Sequence, residues 1–339
     1  MGCEALGIGK PQKALLAWYR IHGRHDLPWR QTKDPYAIYL SEIMLQQTTV
    51  KTVLERYYAP FLRRFPTLQS IAHSELEDVL KAWEGLGYYR RAKNLYATAC
   101  ACQGRLPTNA HDLEKLPGIG KTTAHAIAAF AYGEGVPILD ANVKRVLCRV
   151  YGLQEASLST LWSKAWDFFV TTDPYGHNQA LMDLGAMVCK STSPACEQCP
   201  LFSFCLGSDD PLSYKEKKTR KEVPTRFQTL IIPYDRQKRL GMWRREGAFL
   251  HGLWGFAQVP QDQQEWVYDK ISYDLSSGVF LGKLSHVYTH FRLEVEVIAL
   301  ALPTLEPTWM AYDQLSSLPL SKIDIMALAL LGKSSSQLW

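Results

Sequence analysis

The chain has 339 residues, 47% of them hydrophobic and 21% charged, with a formal net charge of +5. That is more than one typical domain holds and enough apolar material for two cores, so the chain is globular and needs no disulfide scaffold. The mild positive charge permits a polyanionic partner without demanding one.

From the start of the chain, Met1–Lys10 lacks the apolar core of a signal peptide, and Leu6 breaks the myristoylation pattern that Gly2 would open. The longest apolar runs, such as 124–131 and 325–331, fall far short of a bilayer span. A soluble cytoplasmic protein is expected, whose eight cysteines serve as core residues or metal ligands rather than disulfides. Asp34-Pro35 reads as an N-cap followed by proline at the first helical position, and the helix is expected to run on to Tyr57. Within it, Glu42 stands among apolar neighbours in the string 41–48; one Glu on a helix is ordinarily a solvated residue. Leu76–Trp83 repeats the helical pattern and stops at Gly85, ahead of the tyrosines Tyr88 and Tyr89, which by themselves read as packing residues.

Leu116-Pro117-Gly118-Ile119-Gly120 precedes a helix expected from Thr122 to Tyr132. Two glycines beside a helix N-terminus suit an anion such as a phosphate, although by themselves they read first as a plain helix–helix turn. Asp140 stands just before a further helix, whose Val143, Val146, Leu147 and Val150 fall on one face, and it could be simply the N-cap. Cys189, Cys196, Cys199 and Cys205 follow in the spacing C-x6-C-x2-C-x5-C. Four soft thiolates so close in sequence can close around one metal centre, and the spacing alone leaves zinc and an iron–sulfur cluster both open. Cys3, Cys100, Cys102 and Cys148 are expected to be buried small hydrophobes.

Beyond Cys205 the character changes. Ser208–Glu222 is polar, with Lys215, Lys217, Lys218, Arg220 and Lys221, and reads as a solvated linker. Thr229–Pro233 and Leu293–Leu302 are strand-like, the latter alternating through Leu293, Val295 and Val297. The fold expected is multidomain: all-helical at 11–207, a polar linker at 208–223, and α+β at 224–335.

The same residues carry a resemblance. The string around Glu42, the glycine hairpin followed by Asp140, and the cysteine spacing are similar to the MutY family of adenine DNA glycosylases, of the helix-hairpin-helix/GPD superfamily. The resemblance runs from about residue 14 to 330 and is strongest through 27–205. It implies a [4Fe–4S] cluster on the four cysteines and a C-terminal Nudix-like domain that recognises 8-oxoguanine. The activity implied is monofunctional hydrolysis of the bond between deoxyribose and an adenine mispaired with 8-oxoguanine or guanine. The implied setting is a monomer on double-stranded DNA, with no membrane, in a bacterial-type cytoplasm and nucleoid.

By resemblance Glu42 protonates the departing adenine, Asp140 stabilises the cationic sugar, and Asn142 holds Asp140 or the water. Trp29, Arg30 and Gln179 line the adenine pocket, Gln47 and Tyr88 enter the duplex, and Gly118 and Gly120 grip a phosphate. Bifunctional relatives carry a Schiff-base lysine where Thr122 stands here, and Lys121 would point roughly 100° away on a helix. Gly252-Leu253-Trp254-Gly255-Phe256 resembles a segment of the lesion-reading domain, and Tyr288-Thr289-His290 takes the place of its usual Phe-Ser-His. The Nudix hydrolase box is absent, so no nucleotide hydrolysis is expected. Ala141 departs from the family's usual glycine. The alternatives are an endonuclease III-like glycosylase/lyase for oxidised pyrimidines and a non-catalytic iron–sulfur protein that binds damaged DNA.

Overall fold

The computed structural model describes residues 8–214, 223–247, 249–268, 271–288, 290–302 and 308–338. Among these, the residues up to 73 and from 94 to 214 form one compact unit. Residues 74–93 join those from 223 onward in a second.

The first unit is helical. Helix Pro35–Leu45 opens as expected, with the Asp34 carboxylate accepting the Tyr36 N–H at 3.0 Å. It is apolar on nearly every side, and Tyr36 through Ser41, Ile43 and Met44 are all buried, as befits a central helix. It packs on helix Lys121–Tyr132, where Ala124, Ala126, Ala128 and Ala129 are fully buried and allow close approach. The expected continuation to Tyr57 is interrupted. Gln47 turns into the left-handed region at φ 56°, the Thr49 hydroxyl caps a new start by accepting the Thr52 N–H at 3.2 Å, and a π-helical turn Val53–Tyr57 leads into helix Tyr58–Arg64. Helix Ala141–Val150 buries the stripe Val143, Val146, Leu147 and Val150 against Leu15, Leu181 and Leu184.

The second unit is built on a sheet. Its strands are β1 (Thr225–Tyr234), β2 (Leu240–Arg244), β3 (Trp254–Gly255), β4 (Ala257–Pro260), β5 (Glu265–Tyr268), β6 (Ile271–Asp274), β7 (Val279–Val287), β8 (Arg292–Ala301) and β9 (Thr308–Met310). The main sheet runs β3-β2-β1-β8-β7, with β4 also on β1 and β9 on β2. Its central pair, β1 and β8, is parallel over ten residues, with Leu230 facing Val297; the other pairs are antiparallel. Alternation sends Leu230, Ile232, Leu293, Val295 and Val297 to one face, and Ile231, Ile298 and Leu300 to the other. Helix Lys322–Leu338 covers the first face with Ile323, Ala327 and Leu331, four residues apart. Trp266 and Tyr273 of the hairpin β5–β6 cover the second with Trp243.

Three expectations need correction here. The helical region followed by an α+β region is present, but the C-terminal part shows no clear Nudix fold. Its mixed sheet has a single α-helix on one face and an aromatic hairpin on the other, among the described residues of 224–335. Nor do the described residues contain a group of three or more His, Cys, Asp or Glu side chains placed to hold a metal ion, which removes the expected [4Fe–4S] loop from the fold. Of the remaining cysteines, Cys100 is exposed and Cys102 and Cys148 are half-buried, so they are not simple core residues; Cys3 lies outside the described residues. So do the linker cations Lys215, Lys217, Lys218, Arg220 and Lys221. No helix of the described residues is long and apolar enough to cross a membrane.

Candidate active site

The turn Pro28–Arg30, helix Pro35–Leu45 and helix Pro174–Asp183 bring Trp29, Arg30, Glu42 and Gln179 to the wall of one cavity of about 40 Å³. Trp29 is buried, edge-on to Tyr58 at 5.1 Å between ring centres. Gln179 is buried, and its Oε1 has no hydrogen-bond partner among the described residues, which leaves an acceptor free for a ligand at the cavity wall. Its neighbour Asn178 is instead spent on the backbone of Ile138 and Val136, both at 2.9 Å.

Glu42 stands at this wall, and its carboxyl is pushed up to about 7. Burial is the main cause; the Asp140 charge adds to it, and Arg30 acts in the opposite direction. Asp140 is also raised by burial, but three neighbours favour its charged form. As N-cap of helix Ala141–Val150 it accepts the Val143 N–H at 2.7 Å, and the Asn142 amide donates to its other oxygen at 3.2 Å, with the Arg145 charge beyond. Two coupled carboxyls in different surroundings thus divide the labour: Asp140 has donors for a charge, and Glu42 has an environment for a proton.

Asn142 is itself held. Its carbonyl oxygen accepts from Arg145 Nη2 at 2.9 Å, and Arg145 also reaches the carbonyls of Gly185 at 2.6 Å and Cys189 at 2.7 Å. Gly185 approaches so closely that an added Cβ would lie 2.5 Å from that of Asn142. Thr122 lies nearby in the chain path, its hydroxyl donating to the carbonyl of Leu139 at 3.1 Å, next to Asp140. Lys121 turns elsewhere, with Nζ 4.3 Å from the centre of the Trp162 ring.

Sequence reasoning missed Asp183. Fully buried, it accepts both ends of the Arg30 guanidinium, at 2.6 and 2.8 Å, and the Nε and backbone N–H of Arg24 at 2.7 and 2.9 Å. Burial alone would raise its carboxyl; the hydrogen bonds and charges of Arg30 and Arg24 outweigh it and hold the group below the usual range. Much of the Arg30 guanidinium is therefore committed to Asp183. The available signal was spacing, since Asp183 follows Gln179 by four residues on one helix face.

The glycine hairpin joins helix Ala110–Leu113 to helix Lys121–Tyr132. Gly118 has φ 74°, and an added Cβ would meet the Asn94 amide at 2.2 Å, so both backbone and packing require glycine. Around Gly120, at ordinary φ, an added Cβ meets nothing within 4 Å; the space before the helix N-terminus is open, as an anion site needs. Gly118→Ala should therefore lower stability by about 1–3 kcal/mol. Gly120→Ala should cost under about 1 kcal/mol while weakening duplex binding. Urea unfolding and a binding titration on each variant check this pair; equal stability losses would deny the distinction.

The four cysteines are placed but do not form the expected metal centre. Burial pushes the thiols of Cys196 and Cys205 up and that of Cys199 up to about 11. The loop is closed by other means. Buried Arg149 reaches Cys189 Sγ at 3.2 Å and the Lys190 carbonyl at 2.8 Å, while the Leu206 and Gly207 N–H groups bond the carbonyls of Val150 and Arg149. Among the described residues these side chains are not grouped so as to hold a metal ion, and no chemical step involves a cluster.

The remaining residues lie outside the cavity wall. Gln47 is exposed, in the left-handed region. Tyr88, Tyr288 and His290 belong to the second unit. Tyr88 is 46% exposed at φ 50°. Tyr288 and Phe291 close the turn between β7 and β8, the N–H of one on the carbonyl of the other at 2.9 Å; the Tyr288 ring packs on Phe249 and His286 while His290 is exposed. Thr289 lies outside the described residues.

The family described as HhH-GPD superfamily base excision DNA repair protein matches residues 40–166. An adenine DNA glycosylase of Buchnera aphidicola subsp. Baizongia pistaciae is 34% identical, over 90% of this chain and 87% of its own. The adenine DNA glycosylase of Homo sapiens is 41% identical, over 87% of this chain and 67% of its own. Among solved structures, a thermostable thymine-DNA glycosylase superposes with a TM-score of 0.55 at 29% identity, over 58% of this chain and 94% of its own. A non-covalent endonuclease III–DNA complex (TM-score 0.52, 19% identity, 58% of this chain and 93% of its own) shares the fold. The chain belongs to the adenine DNA glycosylase family of the HhH-GPD superfamily, and it is a hydrolase of N-glycosidic bonds.

Proposed function

We propose that the protein excises adenine mispaired with 8-oxoguanine or guanine from double-stranded DNA, by hydrolysis and without a lysine–sugar adduct. The observation that carries this reading is the coupled pair Glu42 and Asp140, one surrounded so as to keep a proton near neutral pH and the other supplied with donors for its charge. Adenine leaves poorly unless protonated. Glu42 gives its proton to N7 as the bond between C1′ and N9 breaks, and the bonding pair departs with the base. The positive charge left on the sugar faces the Asp140 carboxylate. Water then adds at C1′ and loses a proton to the Glu42 carboxylate, which restores the acid. Asn142, fixed by Arg145, orients Asp140 or the water.

Trp29, Arg30 and Gln179 hold the flipped base, Gln47 and Tyr88 fill the gap it leaves, and the amides at Gly118–Gly120 grip the phosphate chain. Tyr288, Thr289 and His290 read the opposite 8-oxoguanine. Thr122 at the position of a Schiff-base lysine, bonded to Leu139, supports water as the nucleophile. The protein works as a monomer in the cytoplasm, on the nucleoid.

The test is single-turnover incubation with four duplexes: adenine opposite 8-oxoguanine, adenine opposite guanine, adenine opposite thymine, and an oxidised pyrimidine opposite its normal partner. Adenine should be released from the first two, the strand should stay whole until alkali is added, and borohydride should trap no adduct. Cleavage of the oxidised-pyrimidine strand would assign the site to the other glycosylase class. His290→Ala should reduce the preference for 8-oxoguanine over guanine several-fold, since one hydrogen bond contributes about 0.5–1.5 kcal/mol. An equal loss on both duplexes would move lesion reading elsewhere.

A further inference from the structure

The loop that carries Tyr88 is built under strain and then tied down. Gly85, Gly87 and Tyr88 have φ of 85°, 76° and 50°, so three residues in four are left-handed, a conformation that a side chain such as that of Tyr88 disfavours. Its carbonyls are held from within the segment. Arg91 Nη2 donates to Leu86 and Gly87 at 3.3 and 3.2 Å, and the Trp83 indole N–H donates to Gly87 at 3.1 Å. The Arg91 guanidinium also lies over the Tyr88 ring, 5.5 Å from its centre. An exposed aromatic held this firmly in a costly backbone marks a working part rather than a packing residue.

A second set of ties runs to the sheet within the same unit. The backbone of Leu320 is taken on both sides: its N–H donates to Glu84 Oε1 at 2.9 Å, and its carbonyl accepts the Tyr89 hydroxyl at 3.0 Å. Glu84 immediately precedes the strained stretch and Tyr89 immediately follows it, so the two contacts clamp the base of the loop. The Tyr89 oxygen also accepts the Gly85 N–H at 3.4 Å, which draws the two ends together. Leu320 is itself fixed, buried and bridged to Trp254, whose indole N–H donates to Glu77 on the helix that leads into the loop.

We infer that Glu84 and Tyr89 are positioning residues, through which the sheet unit sets the aim of Tyr88. Base extrusion then depends on the unit that reads the opposite base, through the backbone of one residue, Leu320. The inference rests on the proposed reading of Tyr88 as the residue that enters the duplex.

The experiment uses the full chain and a duplex with 2-aminopurine beside the mispaired adenine, reading fluorescence on binding and adenine release in a single turnover. Tyr89→Phe removes one oxygen and keeps the ring, and Glu84→Met removes the acceptor. Each should lower both the fluorescence rise and the rate at least about 5-fold, since Tyr89→Phe loses the bonds to Leu320 and Gly85, and Glu84→Met those to Leu320 and Lys81. Glu84→Gln keeps an acceptor oxygen and should restore both. In a Tyr88→Ala background neither change should slow release further, which a merely structural loss would not reproduce. Equal losses with and without Tyr88, or no loss at all, overturn the inference. Wild-type protein that unstacks 2-aminopurine yet releases no adenine would instead defeat the functional reading, and the fluorescence series would still decide the clamp.

Discussion

Glu42→Gln should slow single-turnover adenine release by about 10²–10⁴-fold while leaving binding to the mispaired duplex intact, because the amide keeps the shape and removes the proton. The pH behaviour gives an independent check. Burial and the Asp140 charge push the Glu42 carboxyl from 4.5 up to about 7, so the acid is present at neutral pH and is lost as pH rises through about 7. The rate should fall along that limb, with an apparent value that belongs to the Glu42–Asp140 pair. Stability follows the same sign. A group whose folded value lies above its unfolded one favours folding fully below the unfolded value, and this contribution disappears as pH rises through the folded value. Wild-type protein should thus lose up to roughly 3 kcal/mol between pH 4 and pH 9 that Glu42→Gln does not lose. Urea midpoints across that range measure it. Near-normal release by Glu42→Gln would remove Glu42 from the chemistry.

Asp140→Asn separates two roles that one residue holds. Its oxygen caps helix Ala141–Val150 through the Val143 N–H at 2.7 Å. Asparagine caps about as well, and burial opposes the charge, so the variant should unfold within about 0.5 kcal/mol of wild type. Release should nevertheless collapse by at least about 10²–10³-fold, since the developing sugar cation loses its counter-charge. Asp140→Ala should lose the cap as well and be destabilised by about 0.5–2 kcal/mol. If Asp140→Asn retains its rate, Asp140 is a cap and nothing more.

How far the sequence could be read depended on whether the cause was local. The start of helix Pro35–Leu45 is written in Asp34-Pro35, and the stop of helix Lys121–Tyr132 in Gly133. The break at Gln47 is not, because no glycine or proline marks it and a glutamine takes the left-handed turn instead. The alternation at Leu293, Val295 and Val297 is visible. The burial of both faces of β1 is not, because the second face is covered by the hairpin β5–β6 from elsewhere in the chain. Asp183 escaped notice because it acquires meaning only under Arg30, 153 residues away. The cysteine spacing invited a metal, but spacing carries no information about how the four side chains are placed or about the Arg149 guanidinium that bonds Cys189 and the Lys190 carbonyl. Residues 74–93 read as one more helix and turn, and nothing local tells that they pack with the sheet.

Residues 74–93 depend for their packing on chain that is synthesised much later. Glu84 and Leu320 are separated by 236 residues, so the loop of Tyr88 leaves the ribosome about 10–50 s before its clamp exists, at ordinary elongation rates. The parallel pairing of β1 with β8 likewise waits for residue 301. Residues 74–93 therefore emerge long before the sheet they pack with. Shortening the chain anywhere before Leu320 should leave that segment a persistent attachment point for chaperones and proteases, well upstream of the deletion itself.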